Sequence, residues 1–116
     1  MQKEVWLAEE RKSAVARVAD HTQLVRSVLD LVDEIPRGRV MTYGDIARCL
    51  GLRSARQVGQ VLARYGHEVP WHRVVMADGS TAPHHALEQR ARLRADRVRL
   101  RGGRVDLSSV RWAPPC

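Results

Sequence analysis

The sequence predicts a mainly α fold with a small β-hairpin, a winged helix-turn-helix-like arrangement. Three observations predict it. A long stretch before Pro36 carries apolar residues at helical spacing, two helix-start signatures follow in quick succession, and a Gly-Gly turn separates two short apolar runs near the C-terminus.

Residues 1–19, with the charged run Glu9-Glu10-Arg11-Lys12, read as a solvated N-terminal arm, and residues 20–116 as the domain. Val18, Thr22, Val25, Leu29 and Val32 alternate spacings of four and three, which places them on one face of a helix. Asp20 with Gln23 has the capping-box form of a helix start, and Pro36 stops the helix because it disfavours helical geometry at Ile35. Thr42-Tyr43-Gly44-Asp45 and Ser54-Ala55-Arg56-Gln57 are two further capping boxes. Ile46, Ala47 and Leu50 form the apolar face after the first and Val58, Val61 and Leu62 after the second. Gly51 closes the helix between them, so the pair reads as a helix-turn-helix.

Val69 to Val75 passes from a Pro-fixed turn into a short β-like run. Asp78-Gly79 marks a turn, and Ser80 to His85 a polar loop. A helix is expected over Ala86–Ala95 with Leu87, Ala91 and Leu93 inward. Val98–Leu100 and Val105–Leu107 then form a hairpin around Arg101-Gly102-Gly103-Arg104.

Length and composition bound the function. With 116 residues and 44% hydrophobic content the chain makes one small domain with a modest core. There is no Phe, and the aromatics are Trp6, Trp71, Trp112, Tyr43 and Tyr65, so a ring inside a motif is informative. The formal charge is +7, and all basic residues except Lys3 and Lys12 are Arg. Such a surface suits phosphate, which guanidinium meets bidentately; a genome-wide Arg bias is the other reading. Cys49 and Cys116 have neither the spacing of a zinc site nor that of a disulfide framework. No apolar run reaches the ~18 residues of a membrane span and no signal-peptide core is present, so an intracellular, cytoplasmic and nucleoid-associated protein is expected.

Four segments occur in a telling order: Ile35 to Ala47, Ala55-Arg56-Gln57-Val58-Gly59, Pro70-Trp71-His72-Arg73-Val74-Val75, and the region from Leu87 to Trp112. Over residues 22–112 this set resembles the DNA-binding domain of O6-alkylguanine-DNA alkyltransferases, in which the third segment reads Pro-Cys-His-Arg-Val and the Cys accepts the alkyl group. Trp71 at that position, with Gly103-Arg104-Val105-Asp106-Leu107 and Arg111-Trp112 following, resembles the alkyltransferase-like proteins of the family.

The chemistry agrees with that resemblance. Dealkylating guanine O6 needs a thiolate activated by a neighbouring His. His72 is present, but the indole of Trp71 cannot accept the group, so no catalytic residue is expected. Asp96 stands where the active enzymes carry a Glu that completes a relay through His, and its shorter side chain predicts a weaker relay. By the same resemblance Arg56 fills the space of a flipped nucleotide, and Tyr43 pushes the 3′ phosphate so that the nucleotide rotates. Flipping costs a few kcal/mol. Trp71 then floors a lesion pocket whose other members are Tyr43, His72, Arg73, Val74 and Val75, with the Ser80–His85 loop closing over it. His84 and His85 are the candidates there for a base-sensing basic residue. Each role has a plainer alternative, Trp71 and Tyr43 as core aromatics and Arg56 as a solvated surface charge.

Thr42 and the helix start at Ala55 are expected to donate to phosphate, with Arg37, Arg39 and Arg53 adding charge. Gly59 sits inside a helix at a cost of ~1 kcal/mol relative to Ala, explained by close approach either of DNA or of another helix. The family pairs the end of its late helix with Gly, whereas this chain has Asp96-Arg97, so a local difference is expected there. No cofactor and no metal site is implied; the partners are duplex DNA containing O6-alkylguanine and nucleotide excision repair proteins, with the chain acting as a monomer away from membranes. A helix-turn-helix transcriptional regulator is the competing reading, and an active alkyltransferase a third.

Overall fold

A computed structural model describes the backbone from Glu9 to Cys116 and the side chains from His21 onward. Of the arm expected over residues 1–19, the first eight residues and all the side chains therefore lie outside the described residues. Helix α1, Glu9–Glu34, runs unbroken through Asp20, so the Asp20–Gln23 pair starts no helix. Of the expected stripe, Val18 lies outside the described side chains, Val25, Leu29 and Val32 do pack inward, and the buried centre falls further along the helix. Thr22 is exposed, while Val28, Leu31, Val32 and Ile35 are buried, with Leu24 and Val25 packed beside them. The i, i+3, i+4, i+7 pattern from Val28 is the one that meets the two helices of the helix-turn-helix. The helix ends at Glu34, one residue before the position that Pro36 constrains.

Strand β1, Met41–Thr42, pairs in parallel with β2, Val74–Val75, in the register Met41↔Val74 and Thr42↔Val75. Two-residue strands are too short to show a period in the sequence, and β1 was not anticipated. The pair nevertheless divides the interior. Successive strand residues point to opposite faces, so Met41 and Val74 join the larger core with Val28, Ile35, Ile46 and Val58, whereas Val40 and Val75 join a second core with Leu93, Val98 and Val105.

Helix α2, Tyr43–Leu50, begins at a complete capping box: the Thr42 hydroxyl accepts from Asp45 N at 2.9 Å, and Thr42 N donates to the Asp45 carboxylate at 3.1 Å. It stops at Gly51, whose φ of 69° is a left-handed value that other residues resist. Helix α3, Ala55–Tyr65, follows, but Ser54 makes no side-chain cap; Gln57 accepts from Arg53 N at 3.0 Å instead.

A 3₁₀ turn at Gly66–Glu68 and another at Trp71–Arg73 lead into β2, so the β-like run expected from Val69 is strand only at its end. At the Asp78-Gly79 turn a side chain on residue 79 would collide with the Val105 carbonyl, and Val105 N donates to Gly79 O at 2.8 Å. Helix α4 spans Ala86–Ala95 as expected, but its buried face is Gln89 and Leu93, with Leu87 exposed. Strands β3, Leu100–Arg101, and β4, Arg104–Val105, form the antiparallel hairpin around Gly102-Gly103. Asp106 then caps the short helix α5, Leu107–Val110, where the hairpin's second arm had been expected to continue.

The tail returns to α2. Arg111 donates to both oxygens of Asp45, at 2.9 and 2.7 Å, and Trp112 and Cys49 pack against the larger core. Cys49 and Cys116, whose spacing indicated no pairing, are joined as a disulfide with Cα atoms 5.1 Å apart. Sequence separation conceals the pairing, because it arises from the tail folding back along α2. Among the described residues no helix is long and apolar enough to cross a membrane.

Candidate nucleic-acid interface

The cores place the second helix of the helix-turn-helix beside the Trp71 turn, and a cleft of about 540 Å³ opens between them. Tyr43, Gly59, Trp71, His84, His85 and Arg92 are among the residues that line it. Trp71 is half-buried and belongs to neither core. Its turn is fixed from both sides: Trp71 N donates to Val69 O at 2.6 Å, and Arg73 N to Pro70 O at 3.0 Å. The His85 ring meets the indole at an angle, 5.8 Å away, and the Arg92 guanidinium lies 5.6 Å from the centroid of the Trp71 ring. Glu88, one turn earlier on α4, braces Arg92 with contacts of 3.0 and 2.9 Å. A cation over an indole face is attractive and holds the ring in place.

His72 and Arg73 lie behind the cleft. Asp96 Oδ2 is 2.9 Å from His72 Nε2, and the same carboxylate accepts from Arg73 Nε at 2.7 Å and from its Nη2 at 3.2 Å. The shorter acid therefore still reaches His72, because Asp96 sits at the C-cap of α4 and the chain turns sharply at Arg97. Arg73 also donates to Ile35 O at 2.9 Å, tying the Trp71 turn to the end of α1. Burial holds the His72 pKa below its ordinary value, against the opposing pull of Asp96, and Arg73 and Arg92 add to the lowering. A neutral His72 donates from Nε2 to Asp96, leaving the buried Nδ1 without a partner.

Other expected members fall elsewhere. Val74 and Val75 are fully buried and do not line the cleft. Thr42 is 2% exposed, and its hydroxyl accepts from Asp45 N in the α2 cap, so burial sets it back from the surface where phosphate was expected. Tyr43 opens α2, rests against the larger core and faces the cleft; burial raises its pKa. Arg56 is exposed in the first turn of α3, just after the half-buried Ala55. A Cβ on Gly59 would meet nothing within 4 Å. Helix packing therefore does not require this glycine, and it borders the cleft. Arg39 donates to Arg111 O at 3.3 Å, Arg37 donates to Ala95 O at 2.9 Å, and Arg53 is exposed.

Two contributors escaped the sequence reading. Gln89 is fully buried, accepts from Ala82 N at 2.7 Å, and donates to His72 O and Val74 O at 3.1 and 2.8 Å. It joins the polar loop to the Trp71 turn. Its signal was available as the i, i+4 spacing to Leu93, hidden by its polarity. Arg92 was signalled only by the i, i+4 Glu88, a pattern shared with most solvated helix faces.

Residues 23–98 match the family model described as 6-O-methylguanine DNA methyltransferase, DNA binding domain. The chain is 46% identical over 92 residues to the DNA base-flipping protein of Escherichia coli, covering 73% of this chain and 70% of that one. It is 54% identical over 56 residues to alkyltransferase-like protein 1 of Schizosaccharomyces pombe, covering 46% of this chain and 52% of that one. The crystal structure of S. pombe Atl1 in complex with damaged DNA containing O6-carboxymethylguanine superposes with a TM-score of 0.73 at 33% identity, covering 80% of this chain and 97% of that one.

Proposed function

This chain belongs to the family of the 6-O-methylguanine DNA methyltransferase DNA-binding domain, and on that premise we propose that it is a non-enzymatic sensor of O6-alkylguanine in duplex DNA. The helix-turn-helix enters the minor groove, Arg56 occupies the space of the extruded nucleotide, and Tyr43 turns its 3′ phosphate. The base enters the cleft and stacks against Trp71. The held complex flags the lesion for nucleotide excision repair, with the proteins of that pathway as partners and the chain acting as a monomer in the cytoplasm, on the nucleoid.

The observation that carries this reading is the cleft itself. Trp71, which by the family resemblance takes the acceptor's place, lines it with Tyr43, and the indole lies outside both cores with Arg92 and His85 against it. A ring buried merely for packing would sit in a core. Neither cysteine lines the cleft: Cys49 packs in α2 against the larger core and Cys116 lies beside it at the end of the tail, so no thiol stands where a base in the cleft would present its alkyl group. His72 retains its acid partner, yet the pair has no nucleophile beside it to activate.

The test is binding to matched duplexes with and without O6-methylguanine, followed by mass analysis of the protein. Preferential binding of the modified duplex with no gain in protein mass is expected. Arg56→Ala should weaken lesion binding about tenfold, or about 1.4 kcal/mol, with unchanged folding. Equal affinity for both duplexes overturns the lesion reading and favours a regulator of intact DNA, and a mass gain of one methyl group reinstates the transferase.

A further inference from the structure

On the side of α4 away from Trp71, a groove of about 970 Å³ runs between the end of that helix and the β3–β4 hairpin. None of its lining residues lines the cleft. Five arginines surround it: Arg94, Arg97, Arg99, Arg101 and Arg104. Its two carboxylates are already engaged. Asp106 caps α5 through Ser108 and Ser109, and Asp78 accepts from Ser80 and lies 3.6 Å from Arg104. Among the described residues, no carboxylate lies within salt-bridge distance of Arg94, Arg97, Arg99 or Arg101.

Two local costs are incurred where these charges stand. Arg97 has a φ of 67°, and it is the one non-glycine residue with positive φ among those described. Val98 N donates to Leu93 O at 2.9 Å and Arg97 N to Arg94 O at 2.9 Å, so the helix ends in the hydrogen-bonded turn that ordinarily takes glycine. A left-handed backbone is disfavoured for a residue that carries a Cβ. Arg101 and Arg104 are also directly opposite each other across the hairpin, where like charges repel. Neither arrangement aids folding.

We propose that this groove is a second anion-binding surface, taking the sugar–phosphate backbone of DNA outside the footprint of the helix-turn-helix. Guanidinium matches phosphate bidentately. The groove contains no Trp, Tyr or Phe, so of the residues that anchor protein–protein hot spots it offers Arg alone, and a row of arginines without aromatic anchors favours the repeated phosphates of a nucleic acid over an acidic protein. The inference rests on duplex binding by this family and not on lesion recognition.

Arg97→Gly gives the sharpest test, because it removes a charge while relieving the turn. The full chain carrying it should melt at a higher temperature and bind unmodified DNA of about three helical turns (~30 base pairs) with a shallower salt dependence. The slope of log K against log salt should fall by about one. Replacing Arg99, Arg101 and Arg104 with Ala as well should lower it by about three to four, with no change on a duplex of one turn (~10 base pairs). An unchanged slope on the long duplex overturns the proposal. So does an equal loss on both lengths, or a loss of binding to a polyglutamate probe with DNA binding intact. Preference for O6-methylguanine, measured on the same variants, should not move; its absence from the wild-type chain would overturn the sensor reading alone.

Discussion

At Trp71 two demands meet in one side chain, a fixed orientation and an accessible ring. The 3₁₀ turn and the Arg92 guanidinium supply the first, and half-burial leaves the second. Stacking of a base on an aromatic contributes about 1–3 kcal/mol, so Trp71→Ala should lower the preference for modified over plain duplex by about 5- to 150-fold in a binding competition. General duplex affinity should change much less. Behind it, His72 makes stability depend on pH. Its folded pKa is depressed, so the folded state holds fewer protons on it than the unfolded chain does. Its contribution is present above the ordinary histidine value of about 6.5 and is lost as the pH falls below it. Asp96, held below its usual range despite burial by Arg73 and His72, has the same sign in a more acidic window. The melting temperature should fall as the pH is lowered through the histidine window in the wild type, and more gently in His72→Gln.

Among the elements, α2 was the most legible, whereas α4 was legible in its bounds but not in its buried face. The Thr42–Asp45 box and the left-handed Gly51 are local devices, and both stand where the sequence placed them. The inward face of α4 was misread because a fully buried glutamine does the work of an apolar residue while the apolar Leu87 is exposed. Its three hydrogen bonds reach the polar loop and the Trp71 turn, which no period along the chain reveals. The β1–β2 pair and the Cys49–Cys116 bond were hidden for the same reason, since both join distant segments. Gln89→Leu should therefore destabilise the fold by about 2–4 kcal/mol in urea unfolding, because the buried Ala82, His72 and Val74 backbone groups lose their partner. On α3, Gly59→Ala should act oppositely on its two readouts. The added methyl has space, so the helix should gain about 1 kcal/mol, while the narrowed cleft should weaken binding of O6-methylguanine duplex.

For the molecule as a whole, the helix-turn-helix is held from behind by the larger core and clasped at its side by the returning tail. The disulfide closes a loop spanning 67 positions, a length at which such bonds typically stabilise by about 2–4 kcal/mol. Reduction, or Cys116→Ser, should lower the urea midpoint by the corresponding amount. The core that places Trp71 should persist, since it does not depend on that bond. Asp45 gives the clasp a further meaning. One carboxylate closes the α2 cap, pairs with Arg48 at 2.7 Å, and receives the fork of Arg111 from the far end of the sequence. Tyr43 lies inside that cap, between Thr42 and Asp45. Asp45 is thus a shared bearing, on which both the tail and the cap that seats the cleft's tyrosine rest.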